Sequence, residues 1–580
     1  VRKRAARAKS RVLIVLAAWA LLAAAFVSAE LWARRRWAPQ EDPVSASPEF
    51  DFFHLQIHDD FFTLDRRFGV IPFRWKTQRE RAPLQFFSLW KPKGTLRVFV
   101  VGGSVAMGFD SSSECRLAEY LRKALPGRNF EVVGTGMGGY DSYRESLVEK
   151  EVLRHDPDLI VLLSGNNEYG PRLHVNATLF RLNRWLRKSR LYARFQDAYR
   201  GDWKEPRWPL DERLQNFSDN LRLMISRAGR RNVPMILCTL PVNIRDIPPT
   251  FSPPPVDDAG YFKARAALDR GRLGEASQAF AAYVAARPRE PFGYYWLGKA
   301  RDRLGDAVGA REAYMKAVDW DDPGSRCSLR RNAIIRGLAG ENRVAVADVE
   351  AAFSRAVPDG LTDSRLFKDD VHWYDEYYPL VSLTIIRAVA DYDRSHDVPM
   401  LAPPAEWNRW WETEPGAEAS LAHPAMSPER RLRYAEEVFI SGVSKVFQLY
   451  GFVECSVSYM MMAERLDPGI MKRSLTSRDW LQARSDQSPW LEHVRYRLKD
   501  EWFRVLLHAG EASRRLGLTA QASGYFDEAL RLSPDDPYAH LWRGVLESSA
   551  GKRREAGADL RRAAGSGQPG MAAWAAAVGS

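Results

Sequence analysis

Five short apolar runs punctuate the chain: LRVFVVG (96–102), FEVVG (130–134), DLIVLLSG (158–165), VPMILCTLP (233–241) and RVAVADV (343–349). Each is rich in β-branched residues and bounded by Gly, Pro, Asn or Asp, which predicts strands. Amphipathic stretches such as ECRLAEYLRKAL and SYRESLVEKEVLRH separate the first four. Near-continuous apolar strands alternating with helices predict an α/β domain, a five-stranded parallel sheet covered on both faces. In such sheets ligands bind beyond the carboxyl ends of the strands.

The gap between the fourth and fifth runs is too long for a loop and holds a repeat. Ala276 and Phe280 are echoed 34 residues on by Ala310 and Tyr314, and Pro288 by Pro323 one position past register. Near the C-terminus Gly510, Ala522, Phe526 and Ala529 recur, again 34 on, as Gly544, Ala556, Leu560 and Ala563. YMMMAERLDP (459–468) resembles YFDEALRLSP (525–534), so a further helical hairpin is expected between 430 and 468. This period, with small and aromatic residues at fixed offsets, is that of tetratricopeptide repeats. Such helix pairs bury their apolar faces by stacking on neighbours, and their surfaces bind partners. A Pro- and Trp-rich stretch at 401–428 reads as a seam between domains. Its Trp407, Trp410 and Trp411 are expected to pack an interface, with a sugar-stacking platform as the alternative.

Charge changes the picture at one end. The chain carries +12 formally, but residues 1–36 hold nine Lys/Arg and one acid, leaving +4 for the remainder. A nucleic-acid partner would need a basic face on the folded part, so none is expected. The basic residues flank VLIVLAAWALLAAAFVSA (Val12–Ala29), 18 residues without charge, near the lower limit for a bilayer span. Six cations precede it and three follow, which places the N-terminus in the cytoplasm and exports the rest. A cleaved signal peptide is the alternative, with VSA as its cleavage site. The four cysteines, Cys115, Cys238, Cys327 and Cys455, form no Cys-x-x-Cys pair, so neither zinc nor redox chemistry is indicated. An Asn176-Ala177-Thr178 sequon is present.

Candidate chemistry gathers at the predicted strand ends. The first strand runs into Gly102-Gly103-Ser104, and the second into the glycine-rich turn GTGMGG (134–139). The third ends in Gly165-Asn166-Asn167-Glu168, and Asp369 precedes His372 by three residues after the fifth. There is no P-loop, no G-x-G-x-x-G and no Gly-x-Ser-x-Gly elbow. The acidic cluster Asp369, Asp370, Asp375 and Glu376 has a single histidine, which does not select a metal. A serine hydroxyl needs a base to take its proton, and a histidine oriented by a carboxylate can do so near neutral pH. Preorganised donors must then hold the oxyanion, and the Ser104 N–H, a Gly139 N–H and the Asn167 amide are suitable.

The ordered set GGS, GTGMGG, GNNE and DDVH resembles the SGNH (GDSL-type) hydrolase superfamily. The resemblance covers roughly 95–256 and 324–395, and extends to membrane-anchored bacterial members carrying tetratricopeptide repeats. It implies a flavodoxin-like three-layer fold, with Ser104 as nucleophile, His372 as base, Asp369 as its partner, and Gly139 and Asn167 in the oxyanion hole. The usual Gly-Asp-Ser is here Gly-Gly-Ser, the usual Gly-x-Asn-Asp is Gly-Asn-Asn-Glu, and Gly138 is a second candidate donor beside Gly139.

The expected organisation is a basic tail (1–11), an anchor (12–29) and an extension packing on the catalytic domain (45–95). The hydrolase domain follows in two parts (96–256 and 324–400) around a repeat insertion (257–323). A linker (401–428) and a C-terminal helical repeat region (429–580) complete it. The function expected is a serine esterase or deacylase acting on an O-acyl ester of an envelope glycan, lipid or small molecule. It would need no cofactor and would be anchored in the inner membrane with its bulk in the periplasm. Two alternatives stand beside it: an O-acyltransferase using the same triad, and a catalytically idle tetratricopeptide scaffold in an envelope assembly.

Overall fold

The computed structural model describes residues 2–37, 70–72, 86–88, 90–111, 116–168, 185–186, 188–200, 209–256, 258–321, 324–342, 344–413, 421–447, 453–476, 478–486, 494, 497–568 and 570–579. Cys115, the Asn176-Ala177-Thr178 sequon and most of 45–95 lie outside the described residues. The chain divides into two compact units. One comprises 1–59, 76–79 and 170–208, and contains the helix Arg2–Arg36. By length and composition, the part of that helix from Ala17 to Arg36 is sufficient to cross a membrane. Its Trp19, Leu22, Phe26 and Leu31 side chains are exposed.

The second unit holds everything else. A two-stranded ribbon, β1 (Val70–Pro72) and β2 (Phe86–Ser88), precedes a sheet of β3 (Thr95–Gly102), β4 (Asn129–Gly136), β5 (Leu159–Leu163), β6 (Met235–Cys238) and β7 (Ala345–Ala347). All four pairings in the sheet are parallel, in the order β4-β3-β5-β6-β7. Numbered within the sheet this is 2-1-3-4-5, a doubly wound order whose switch point falls at the carboxyl end of β3. The strands explain their apolar runs, since alternate residues face two different cores. Val98 and Val100 of β3 pack with the helices Leu117–Ala124 and Tyr378–Ser395. Phe99 and Val101 pack with Ser142–Val152, Leu210–Arg230 and Leu329–Asn342. Phe87 of β2 meets the Phe99 ring edge-on at 5.4 Å.

Four helices, Ala259–Asp269, Leu273–Ala286, Pro291–Arg303 and Ala307–Trp320, occupy the interval between β6 and the helix leading to β7. The repeat positions are its core: Ala276, Phe280, Ala310 and Tyr314 are fully buried. The small residues have a steric reason. A Cβ on Gly298 would lie 2.5 Å from the Tyr314 ring, and one on Gly510 2.5 Å from the Phe526 ring. The hairpin expected between 430 and 468 is present as Pro428–Val446 and Val453–Leu466. Trp410 and Trp411 are buried, Trp410 against Tyr120 at 5.1 Å, so this cluster packs the α/β part rather than offering a platform.

Between the inserted helices and the C-terminal ones lies a cavity of about 840 Å³, lined in part by Arg245, Trp296, Lys299, Arg465 and Arg515. Arg265 pairs with Glu454 and Arg514 with Asp269, so ion pairs at the cavity wall tie the two helical sets together, while Arg245 pairs with Asp302 and Arg465 with Asp246.

Two glycines let the turn after β3 settle onto the sheet. A Cβ on Gly102 would sit 2.4 Å from the Leu163 carbonyl oxygen, and one on Gly136 2.3 Å from the Met107 nitrogen. Both neighbours are backbone, which cannot swing aside. Gly102→Ala is therefore expected to lose about 1–3 kcal/mol of stability, read as a lower urea midpoint with an unchanged slope. An unchanged midpoint would contradict the close approach.

Candidate active site

Ser104 opens a single 3₁₀ turn (Ser104–Ala106) directly beyond β3 and is half-buried. The turn closes through Ala106 N–H to Gly103 O (3.0 Å) and Met107 N–H to Ser104 O (3.1 Å). His372 lies 268 residues away, on the segment between the helices Val349–Arg355 and Tyr378–Ser395, with its Nε2 2.7 Å from Ser104 Oγ. Its Nδ1 is 2.6 Å from Asp369 Oδ2.

The three-residue spacing of Asp369 and His372 has a local cause. Asp369 Oδ1 accepts the backbone N–H groups of Val371 (2.9 Å) and His372 (2.6 Å), which folds the loop so that Oδ2 reaches the imidazole. An ionised carboxylate only accepts, so Nδ1 carries the proton and Nε2 of the neutral ring accepts the Ser104 hydroxyl. Burial opposes the charge on Asp369, but the His372 charge, its hydrogen bonds and the Val371 N–H hold the carboxyl down at about 2. Burial would likewise lower His372. Asp369 outweighs it, and the imidazole stands above its ordinary 6.5.

The glycine-rich turn and the Asn-Asn segment arrive at the same edge. Tyr140 N–H closes a turn onto Met137 O at 3.3 Å, with Gly139 at its third position and φ +70°. Only a residue without Cβ takes that position freely. Asn167 Nδ2 is 3.5 Å from Tyr140 O and 3.6 Å from where a Cβ on Gly103 would sit. Asn166 instead turns inward, its Oδ1 accepting from Cys327 N–H at 2.9 Å. Tyr140 O and Asn167 Nδ2 thus both lie beside Gly103, which puts the neighbours Gly139 and Ser104 and the Asn167 side chain at one corner of the sheet.

Glu168, the last residue of the Gly-Asn-Asn-Glu segment, and two residues outside any motif, Asn220 and Glu145, lie around this corner. Glu168 Oε1 accepts Ser142 N–H at 2.7 Å and Oε2 accepts the Ser142 hydroxyl at 2.9 Å, which ties the Asn-Asn segment to the helix after the glycine-rich turn. Asn220 Nδ2 donates to the same hydroxyl at 3.0 Å. Glu145 is buried behind Gly103, its Oε1 3.5 Å from the point a Cβ there would occupy. Burial first, and then Glu168, pushes the Glu145 carboxyl well above the ordinary range. Burial and Asp141 raise Glu168 to about 7. Two acids buried side by side favour retaining a proton. Among the described residues no group of three or more His, Cys, Asp or Glu side chains is placed to hold a metal. Cys238, Cys327 and Cys455 are buried free thiols.

A tetratricopeptide-repeat family model matches residues 293–322. No curated protein matches the chain. Among solved structures, an acetyl xylan esterase is 17% identical, covering 51% of this chain and 100% of its own, with TM-score 0.27. A GDSL-like lipase from Bacteroides thetaiotaomicron is 13% identical, covering 52% and 89%, with TM-score 0.25. Yeast Tom70 is 15% identical, covering 61% and 68%, with TM-score 0.12.

These environments set two pH dependences. The His372 ring, followed by NMR, is expected to titrate above 6.5, and Asp369→Asn to move that midpoint down; a wild-type midpoint at or below 6.5 would contradict the pairing. For Glu145 and Glu168, the folded state keeps protons that the unfolded chain releases above its ordinary carboxyl value. Their stabilising contribution is complete below about 4.5 and declines as pH rises above it, through about 7 for Glu168, by up to about 1.4 kcal/mol per pH unit for each proton. His155 and His508, lowered to about 4 and about 3 mainly by burial, act in the opposite sense. The measure is therefore the difference between wild type and Glu145→Gln in urea midpoint, which should shrink or reverse from acidic to alkaline pH. A pH-independent difference would contradict the buried protonated acid.

Proposed function

We propose that this chain is a serine esterase or deacylase of the SGNH type, held at the inner membrane by its N-terminal helix with its bulk in the periplasm. The observation that carries this reading is the unbroken hydrogen-bond line Asp369–His372–Ser104, assembled at the switch point of a parallel sheet. Its substrate would be an O-acyl ester of an envelope glycan, lipid or small molecule.

In this mechanism Ser104 Oγ attacks the acyl carbonyl carbon while His372 Nε2 takes its proton. Asp369 holds the ring in the required tautomer and stabilises the imidazolium without taking the proton itself. The oxyanion is held by the Ser104 and Gly139 N–H groups and by Asn167 Nδ2, and collapses as His372 hands its proton to the leaving alkoxide. Water, deprotonated by His372, then attacks the acyl-Ser104 carbonyl carbon. Collapse releases the carboxylic acid and returns the proton to Ser104. No cofactor enters. The helical repeats supply surface for a protein partner, which would set where the enzyme acts.

The test is hydrolysis of p-nitrophenyl acetate by the full chain in detergent. Ser104→Ala and His372→Ala should each lower kcat by about 10⁴–10⁶, and Asn167→Ala by about 10²–10³. Turnover that persists in Ser104→Ala would refute the assignment. Adding a sugar acceptor should leave free acid as the main product; diversion of the acyl group to the acceptor would replace hydrolysis by transfer.

A further inference from the structure

We propose that Ser325 is a positioning residue that locks Asn167 and the Asp369–His372 loop into one frame; this rests on the acyl-transfer reading above. Asn167 has φ +63°, in the left-handed region that non-glycine residues enter at a cost. Such a conformation persists only where its surroundings hold it. Its N–H donates to Ser325 O at 2.9 Å. The Ser325 hydroxyl donates in another direction, to Asp370 Oδ2 at 2.7 Å. One buried residue, 7% exposed, therefore contacts both the oxyanion-side segment and the acid-bearing loop.

Both ends of this bridge are themselves fixed. Asn243, fully buried, donates its N–H to Asp370 O at 3.0 Å and its Nδ2 to Asp369 O at 3.3 Å. Next to Ser325, Arg326 donates to Asn243 O (3.3 Å), Ile247 O (2.8 Å), Pro248 O (3.1 Å) and Asp321 Oδ2 (3.3 Å). Cys327 N–H holds Asn166 Oδ1. The segment 325–327 is thus a rigid splint rather than a loose connection. It begins five residues after Trp320, the end of the last inserted helix, so the exit of the helical insertion is built into the site. Ser325 belongs to no motif, and the insertion parts it from β6 as the helix Leu329–Asn342 parts it from β7, so no sequence pattern marks it.

The bridge has an electrostatic consequence that simple bracing would lack. Lys368, Asp369 and Asp370 face His372; Asp369 and Asp370 raise it and Lys368 lowers it. Tyr459 and Cys455, from the helix Val453–Leu466, face Asp370, and Arg326 lies near both. Ser325 fixes the Asp370 carboxylate at a set distance from the imidazole. Without the hydroxyl, that carboxylate turns to solvent and its effect on His372 weakens.

The experiment uses the full chain with Ser325→Ala, Ser325→Thr, Asp370→Asn and the Ser325→Ala/Asp370→Asn double variant. Each is measured for p-nitrophenyl acetate hydrolysis against pH, for His372 ring titration by NMR, and for urea midpoint. Ser325→Ala should lower kcat about 10–100-fold with KM little changed. It should also shift the His372 midpoint to lower pH. Asp370→Asn should shift it the same way, the double variant no further than the larger single shift, and Ser325→Thr should restore wild-type behaviour. Wild-type kcat and an unmoved His372 midpoint in folded Ser325→Ala would overturn the proposal, as would additive shifts in the double variant. Absence of Ser104-dependent turnover in wild type counts against the acyl-transfer reading instead. The His372 titration reads Ser325 in either case.

Discussion

The Asp369 carboxylate does two things at once, and the site depends on both. One oxygen takes two successive backbone N–H groups and so shapes its own loop; the other fixes the imidazole tautomer. A carboxylate used only for the loop would leave the imidazole free to rotate, and one used only for the imidazole would leave the loop unshaped. Because the loop is short and tightly bonded, His372 has one place to be. The sheet brings Ser104 to that place. The two halves come from opposite ends of the α/β part, and the 2.7 Å hydrogen bond between Ser104 Oγ and His372 Nε2 joins them.

The surroundings of this line are governed by close packing of backbone on backbone. Gly102 and Gly136 have no room for a side chain, and that absence lets the Ser104 turn lie flat over the strand ends. Behind it, Glu145 and Glu168 place ionisable groups where water cannot reach, an arrangement that costs stability as pH rises. What it provides is geometric. Glu168 secures the first turn of the helix Ser142–Val152, and with it the glycine-rich turn, to the segment bearing Asn167. Stability is given up at the rear of the site in exchange for a fixed front.

Much of this was legible in the sequence because it rests on local rules. Five apolar runs marked five strands, although β6 and β7 are shorter than their runs: Pro241 lies past one end and Asp348 caps the helix beyond the other. The 34-residue echo marked Gly510 against Phe526 and Ala310 beside Tyr314 as packing positions, since helix-pair stacking repeats its steric demands. Ser104 was legible as a residue type at a strand end, and Asp369 and His372 as an Asp-x-x-His pair after the last strand. Strand order was not, because nothing in an apolar run names its neighbour. Ser325, Asn243 and Glu145 were invisible for a different reason: each acts through contacts that exist only after distant segments meet.

Everything proposed for this site requires Ser104 to be an activated nucleophile, and covalent capture tests that most directly. A fluorophosphonate probe, which reacts with serine hydroxyls whose proton is being drawn away, would be added to the full chain and the adduct located by mass spectrometry. An activated Ser104 predicts a single adduct at that residue, absent in Ser104→Ala and strongly slowed in His372→Ala. Folded protein that stays unlabelled at Ser104, or labelling that does not respond to His372, would contradict it.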